Sequence, residues 1–524
     1  MKRKIEVDID YYLKASEYFS NGKYHDALTA IEQSLRIAPD DVSGLRLHSK
    51  ILLQLNRPNE ARVATEHALH IEPENIFSLR AQAKIMLQLN RPDEALVAIE
   101  QAVRLEPDNV AGLFLYTQIL LKFNRLNEAL AAIEQALRIA AHDFILRDHA
   151  QILFQLKRPN EALVSIEQAL RIDPDNDFCL RLHAQILLQL KRPDEALISI
   201  EQALLIEPDN DFGLRLHAQI LLQLNRPDEA LVSIEQALRI EPDNVFGLRT
   251  QAKILRQLNR SGEALVAIEK VLRIEPDNAF GLALYAQILL ELNRANEAEV
   301  TIEHALRIAP DNDSYLFVHA QILMQLNRSN EALVAIEHAL NKAPDNFPYL
   351  CVHAQILLQL NRSNEALVVI EQALRLAPDD GFGLCVYAQI LLQLNRSNEA
   401  LVAIELALGL EPDNDFGLCV HAQILIRINR SNEALVAIEH ALRLAPDKIL
   451  GLCLHAQILH QLNSADEALL AIEHALSIAP DTPLHLCVHA QILLELNKAD
   501  EALVAIEHAL SIDPDNDSYL CIHA

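Results

Sequence analysis

One phrase returns along almost the whole chain at a fixed interval. RPDEALVSIEQALRIEPDN (226–244) recurs with small changes from Gly22 to Asn516, and with the frame set at Asp8 the interval is 34 residues. Self-similarity at roughly 20–50 residues marks architectures in which no unit buries its apolar face alone and neighbours must stack. Fifteen complete repeats fill 8–516. Residues 1–7 read as an N-terminal tail, and DSYLCIHA (517–524) as the stub of a further first helix. One boundary, in AAHDFILRDHA (140–150), is a residue short and lacks the usual proline. The repeats leave no stretch for a separate catalytic domain. The expectation is a protein that is no enzyme, without catalytic residues, metal or cofactor.

Each repeat reads as two helices. In DFCLRLHAQILLQLKRPDEALISIEQALLIEPDN (177–210) the first half is helical by composition over about 178–190. KRP then turns the chain. Pro193 suits the first position of a second helix, where no backbone donor is needed, and Asp194 and Glu195 favour its N-terminus. Pro208 stops that helix, and Asp209 or Asn210 can cap the next. Short connections make neighbours antiparallel. The fold class is all-α, an α-solenoid of about fifteen helix-turn-helix repeats.

Bulk properties narrow the function. With 73 acidic against 45 basic residues the net charge is −28. That speaks against nucleic acid and anionic membranes as partners, since both need a basic footprint. No apolar run approaches the roughly 18 residues of a membrane helix. MKRKIEVDIDYYLKASEYF, at the N-terminus, has no apolar signal core. Seven cysteines, six of them in one repeat column, do not make a disulfide framework. A reducing compartment follows, and a cytoplasmic location is expected. Twelve glycines and no tryptophan among abundant Leu, Ala, Glu, Gln and Ile suit helices better than strands.

The repeat resembles the tetratricopeptide repeat. That family's pattern of large, small and aromatic places, then Ala, an aromatic, Ala and Pro, falls in the first repeat on Tyr11, Lys14, Ala15, Tyr18, Ala27, Ile31, Ser34 and Pro39. In 177–210 it falls on Leu180, His183, Ala184, Leu187, Ala196, Ile200, Ala203 and Pro208. The small residues and the proline match; leucine replaces the aromatics and histidine the usual leucine. The resemblance implies a right-handed superhelix whose first helices line a concave face that grips peptides. Pentatricopeptide arrays share the architecture, but their RNA-binding role fits an acidic chain poorly.

Stacked repeats turn each residue position into a ladder. Cys351 and His353 sit two apart, and the pair returns at Cys419/His421, Cys453/His455, Cys487/His489 and Cys521/His523. Helix geometry puts the cysteine on the polar arc and the histidine on the apolar one, so the two do not face each other. Ladder neighbours about 8–10 Å apart satisfy neither a disulfide nor a zinc site. The histidine column (with Tyr116, Tyr285, Tyr387, Gln82 and Gln251 as substitutes) is expected to bond a neighbouring helix, through a backbone carbonyl or a glutamate such as Glu195.

The polar arc of the first helices is the candidate peptide-binding groove. Its first half aligns Arg46, Arg80, Arg147, Arg181, Arg215 and Arg249, beside Phe178, Phe212 and Phe246 and the glutamines Gln185, Gln189, Gln219 and Gln223. Arginine forks onto carboxylates, and glutamine amides both donate to and accept from an extended backbone. Two readings stay open: a groove for acidic or C-terminal carboxylate segments, or a solvated face bonded to glutamates of the next repeat. In the second half the column turns to Cys351, Cys385, Cys419, Cys453, Cys487 and Cys521, which reads as a face of thiols and amides.

The functional expectation is a non-enzymatic scaffold binding peptide segments of partner proteins. The alternatives are the substrate-selecting arm of an O-GlcNAc transferase-like enzyme, and metal or redox storage in the Cys and His columns. The stub at 517–524, with Leu520 and Ile522 uncovered, raises self-association through the C-terminal end as a further expectation.

Overall fold

The computed structural model describes residues 2–513 and 517–523. Every regular element among them is an α-helix, and the helices follow one another in antiparallel pairs. Two compact units divide after Arg260. The first holds α1 (Lys2–Ser20), α2 (Tyr24–Ile37), α3 (Val42–Gln54), α4 (Pro58–Ile71), α5 (Ile76–Gln88), α6 (Pro92–Leu105), α7 (Val110–Lys122), α8 (Leu126–Ile139), α9 (Asp143–Gln155), α10 (Pro159–Ile172), α11 (Asp177–Gln189), α12 (Pro193–Ile206), α13 (Asp211–Gln223), α14 (Pro227–Ile240) and α15 (Val245–Gln257). The second runs from α16 (Ser261–Ile274) to α31 (Asp517–His523). Residues 2–7, read as a tail, continue the first helix.

Local chemistry sets each boundary. Leu190 and Lys191 end α11: Arg192 N–H bonds Leu187 C=O at 2.9 Å while Lys191 takes φ 59°. This is the left-handed stop that asparagine fills in most other turns, such as Asn225 at φ 56°. Pro193 then opens α12. Arg192 clamps the new helix with a two-pronged bond to Glu195, Nε to Oε1 at 2.6 Å and Nη2 to Oε2 at 2.5 Å. Of the two cap candidates, Asn210 takes the role: its Oδ1 accepts from Gly213 N–H at 2.8 Å. At the short boundary His142 caps nothing with its side chain; its ring stacks on Phe144 instead, 5.4 Å between centroids.

The core runs between the helix layers. Ala184, Ile186, Ala196 and Ile200 are fully buried, with Leu180 and Leu187 beside them. Alanine at 184, 196 and 203 lets backbones approach, and isoleucine at 200 fills the space between pairs. Inside each unit the contact within a pair is extensive, as between α11 and α12; second helices then pack on the next first helix, and successive first helices such as α11 and α13 touch more lightly. The polar face of the first helices is left open.

Candidate binding face of the first helices

The histidine column is structural. His183 Nδ1 lies 2.9 Å from Ser199 Oγ, and Ser199 Oγ donates to Glu195 C=O at 3.2 Å. The hydroxyl has one proton, given to the carbonyl, so Nδ1–H must be the donor and the neutral ring carries its lone pair on Nε2. His149 with Ser165 and His217 with Ser233 repeat the geometry at 2.9 Å. The expected bond to a neighbouring helix is found, with a serine as acceptor and not Glu195. Burial holds all three imidazoles below their ordinary value.

The cysteine column corrects an expectation. Cys351, Cys385, Cys419, Cys453 and Cys487 are buried, and only Cys521 of the column is exposed. Apart from Cys521, the face of the second unit therefore carries amides and apolar groups in place of thiols. The reason is length. A Cβ added to Gly417 would stand 3.1 Å from Cys385 Sγ, so the short thiol tucks under the start of the next first helix. Arginine at the same place passes that glycine and reaches solvent: Arg181 Cδ lies 3.6 Å from the corresponding point of Gly213. Burial pushes the thiols of Cys351, Cys385 and Cys453 up to about 12 and those of Cys179 and Cys419 up to about 11. A thiol-specific reagent at pH 8 is thus expected to titrate Cys521 in the folded chain, and all seven cysteines after denaturation. Rapid labelling of several thiols in the native protein would contradict this burial.

The arginine column is not uniform. Arg181 Nη1 pairs with Asp177, one turn back on α11, and with Glu207 at 3.1 Å, leaving its side chain 13% exposed. Arg215 does the same with Asp211 and with Glu241 at 3.4 Å. Arg147 is held at 2.9 Å by Asp148. Their acids come from their own repeat, so these charges are locally balanced. Arg249 lies over the ring of Phe246, 5.7 Å from its centroid.

Arg46 and Arg80 differ. Arg46 sits over the Phe77 ring at 4.2 Å, and Arg80 Nη1 donates to Asn109 at 3.3 Å. Among the described residues neither has a salt-bridge partner, and the buried Nε of each has no hydrogen-bond acceptor. Lys50 and Lys84, exposed on α3 and α5, stand beside them. Burial first, then the charges of Arg46, Arg80 and Lys84, hold the Lys50 ammonium below its ordinary value. The four cations form a cluster with no salt bridge among the described residues, although the charge of Glu106 offsets Arg80 in part. Sequence reasoning missed both lysines, although the signal was there: they replace glutamine in its ladder.

The aromatic and amide ladders stay on the surface. Phe178, Phe212 and Phe246 are exposed, as are Gln189 and Gln223, while Gln185 and Gln219 are half-buried. Two cavities open on this face in the first unit. One, of about 810 Å³, is lined by Gln118, Leu121, Asn124, Leu126, Arg147, Asp148, Gln151, Gln155 and Phe178. The next, of about 480 Å³, brings together Phe154, Phe178, Arg181, Gln185 and Phe212. A third, in the second unit, of about 560 Å³, joins Gln355, Gln359, Gln389, Gln393 and Gln423 to Met324, Phe416 and Arg427. Of the predicted groove residues, Arg147, Phe178, Arg181, Gln185 and Phe212 meet in the two cavities of the first unit; Arg215, Arg249, Phe246, Gln189, Gln219 and Gln223 line neither, and Arg46 and Arg80 belong to the cationic cluster. Among the described residues one set of metal-ligating types converges, Glu299, Glu303 and His319, with ligand atoms within 4.8 Å; Arg328 already pairs with Glu299. No helix among the described residues is long and apolar enough to cross a membrane.

Stacked helix pairs with an open polar face define a repeat scaffold of the protein–protein interaction class. A family model described as tetratricopeptide repeat matches residues 86–147, 153–220 and 255–322, and a second with the same description matches 11–41, 216–244, 347–380, 383–414, 451–482 and 486–516. These matches cover more than half of the chain, which belongs to the tetratricopeptide repeat family. No curated protein matches it. Among solved structures it is similar to the crystal structure of the APC/C hetero-tetramer Cut9–Hcn1, with 15% identity over 93% of this chain and 97% of that one and a TM-score of 0.55, which is a likeness of fold. A tetratricopeptide repeat protein from Parabacteroides merdae ATCC 43184 has 18% identity over 47% of this chain and 98% of its own, with a TM-score of 0.41.

Proposed function

We propose that the first-helix face binds an extended segment of a partner protein, with no catalytic step. The observation that carries this is the cluster of Arg46, Lys50, Arg80 and Lys84, four cations without a salt bridge among the described residues and offset only at Arg80 by Glu106, in a chain of net charge −28. Like charges held together destabilise one another, and an anionic ligand relieves that repulsion. Acidic side chains or a terminal carboxylate of the partner would dock here. Further along, amides of Gln185, Gln189, Gln219 and Gln223 would pair with the segment's backbone, and Phe178, Phe212 and Phe246 would cover its apolar side chains. Arg147, Arg181 and Arg215 orient the face but have little charge left to offer. Six buried, unpaired thiols suit a cytoplasmic setting.

A fluorescein-labelled decapeptide rich in glutamate tests this by anisotropy. Wild type is expected to bind it with an affinity that falls as salt is raised. K50Q/K84Q is expected to weaken binding about tenfold, the loss of a few hydrogen-bonded charges, while R181Q/R215Q leaves it nearly unchanged. Equal binding by wild type and K50Q/K84Q would remove the anionic anchor from the proposal.

A further inference from the structure

The array has one irregular junction, and the largest of the three cavities lies there. Between α8 and α9 the repeat is a residue short, and the asparagine cap that begins neighbouring first helices is replaced by His142. Along the first unit, successive first helices approach backbone to backbone more closely than α7 and α9 do. The 810 Å³ cavity fills this gap, a volume in the range of sites that enclose a small group.

A second anomaly coincides with the first. Asp148 stands where the two following repeats place Leu182 and Leu216. Asp148 as a whole is 4% exposed and lines the cavity. Arg147 Nε and Nη2 reach Oδ1 at 2.9 Å, and Gln118 donates to Oδ2. A carboxylate offers about four acceptor positions, so capacity remains for one more donor. The pair Arg147–Asp148 leaves the cavity without net charge. Its walls supply donors and acceptors in the amides of Gln151 and Gln155, and a flat apolar surface in Phe178.

We infer that this cavity is a receptor for the phenol of a tyrosine carried by the bound segment, an inference that rests on the binding face proposed above. The ring would lie against Phe178. The hydroxyl would donate to Asp148 and accept from a glutamine amide, using both its capacities; an indole N–H could only donate. Anionic side chains are disfavoured by Asp148 and cationic ones by Arg147. Phosphorylation of the tyrosine would set two negative charges against Asp148 and expel it.

The test uses the full chain and two uncharged probes, acetyl-Gly-Gly-Tyr-Gly-Gly-amide and its phenylalanine counterpart, titrated by ligand-observed NMR. The tyrosine peptide is expected to bind about tenfold tighter, the worth of a hydrogen bond to a charged group. D148L, which installs the leucine of neighbouring repeats, should erase that difference while circular dichroism stays unchanged. Equal affinity of the two peptides for wild type, or undiminished preference for tyrosine in D148L, overturns the inference. So does absence of binding by both. The glutamate-rich decapeptide, run on the same samples, separates the cases: if it still binds, the receptor alone is wrong; if it too fails, so is the binding face.

Discussion

Lowering the pH from 7.5 to 5.5 is expected to lower the melting temperature of this chain. Nine histidines of one column, His48, His149, His183, His217, His319, His353, His421, His455 and His489, are held by burial below the ordinary imidazole value of 6.5. A group with a depressed folded pKa takes its proton in the unfolded chain first. Below 6.5 the unfolded state therefore holds more protons, and stability falls as the pH falls. The contribution is complete above 6.5 and is lost progressively beneath it. Each proton bound by the unfolded chain alone adds a slope of about 1.4 kcal/mol per pH unit, and all nine sites act in one direction. Glu161, Glu195 and Glu229, held low by hydrogen bonds from their arginines, add to the loss only in the carboxylate range, below about pH 4.5. Asp148, raised by burial, works the other way. Gln82 and Gln251 occupy this column naturally, so H183Q/H217Q should fold and show a shallower acid dependence. A melting temperature flat across this range would show that the column does not sense protons.

The period made most of the fold legible. Spacing placed both helices of each repeat, proline marked the start of five second helices in the first unit, and alanine marked the close approaches. What it could not show was how far a side chain reaches. Arg181 and Cys351 share one position on the helix, and a helical wheel sends both to the polar arc. The thiol is short enough to disappear beneath the next helix, and the guanidinium is not. Charge balance was legible only in outline. The aligned arginines left two readings open, an anion-binding groove or a face bonded to glutamates of the next repeat, and the acids that cancel two of them are Asp177 and Asp211, one turn away on the same helices. The residues that stand out in the structure are departures from the repeat: Lys50 and Lys84 in the glutamine ladder, and Asp148 in a leucine column. Sequence comparison between repeats contains them, but only side-chain geometry shows that the lysines add to a cluster and that the aspartate faces a cavity.

Truncating Ile200 to alanine is expected to destabilise its surroundings by about 2–5 kcal/mol, through lost burial and the cavity left behind. Ile200 is fully buried between α11, α12 and α13, against Leu180, Leu187, Leu216 and Ile220. Its column holds Ile31, Ile99, Ile133, Ile166 and Ile234, each equally buried. Thr65 is a departure, and its hydroxyl is satisfied by Ser49 Oγ at 2.7 Å and by Ala61 C=O at 2.9 Å. Ile200 itself packs in an apolar cluster, and an apolar void does not hold water. In a stacked array each repeat contacts only its neighbours, so the loss should stay local. Hydrogen exchange would show it: amides of α11–α14 lose protection, and those of α3–α6 keep theirs. Uniform loss across residues 1–260 would mean that this unit unfolds as one cooperative body. The same variant separates the two halves of the proposed face. Lys50 and Lys84 lie outside the damaged repeats, so the glutamate-rich peptide should bind I200A as it binds wild type. Phe178, on α11, lies inside them, so the preference for tyrosine over phenylalanine should weaken.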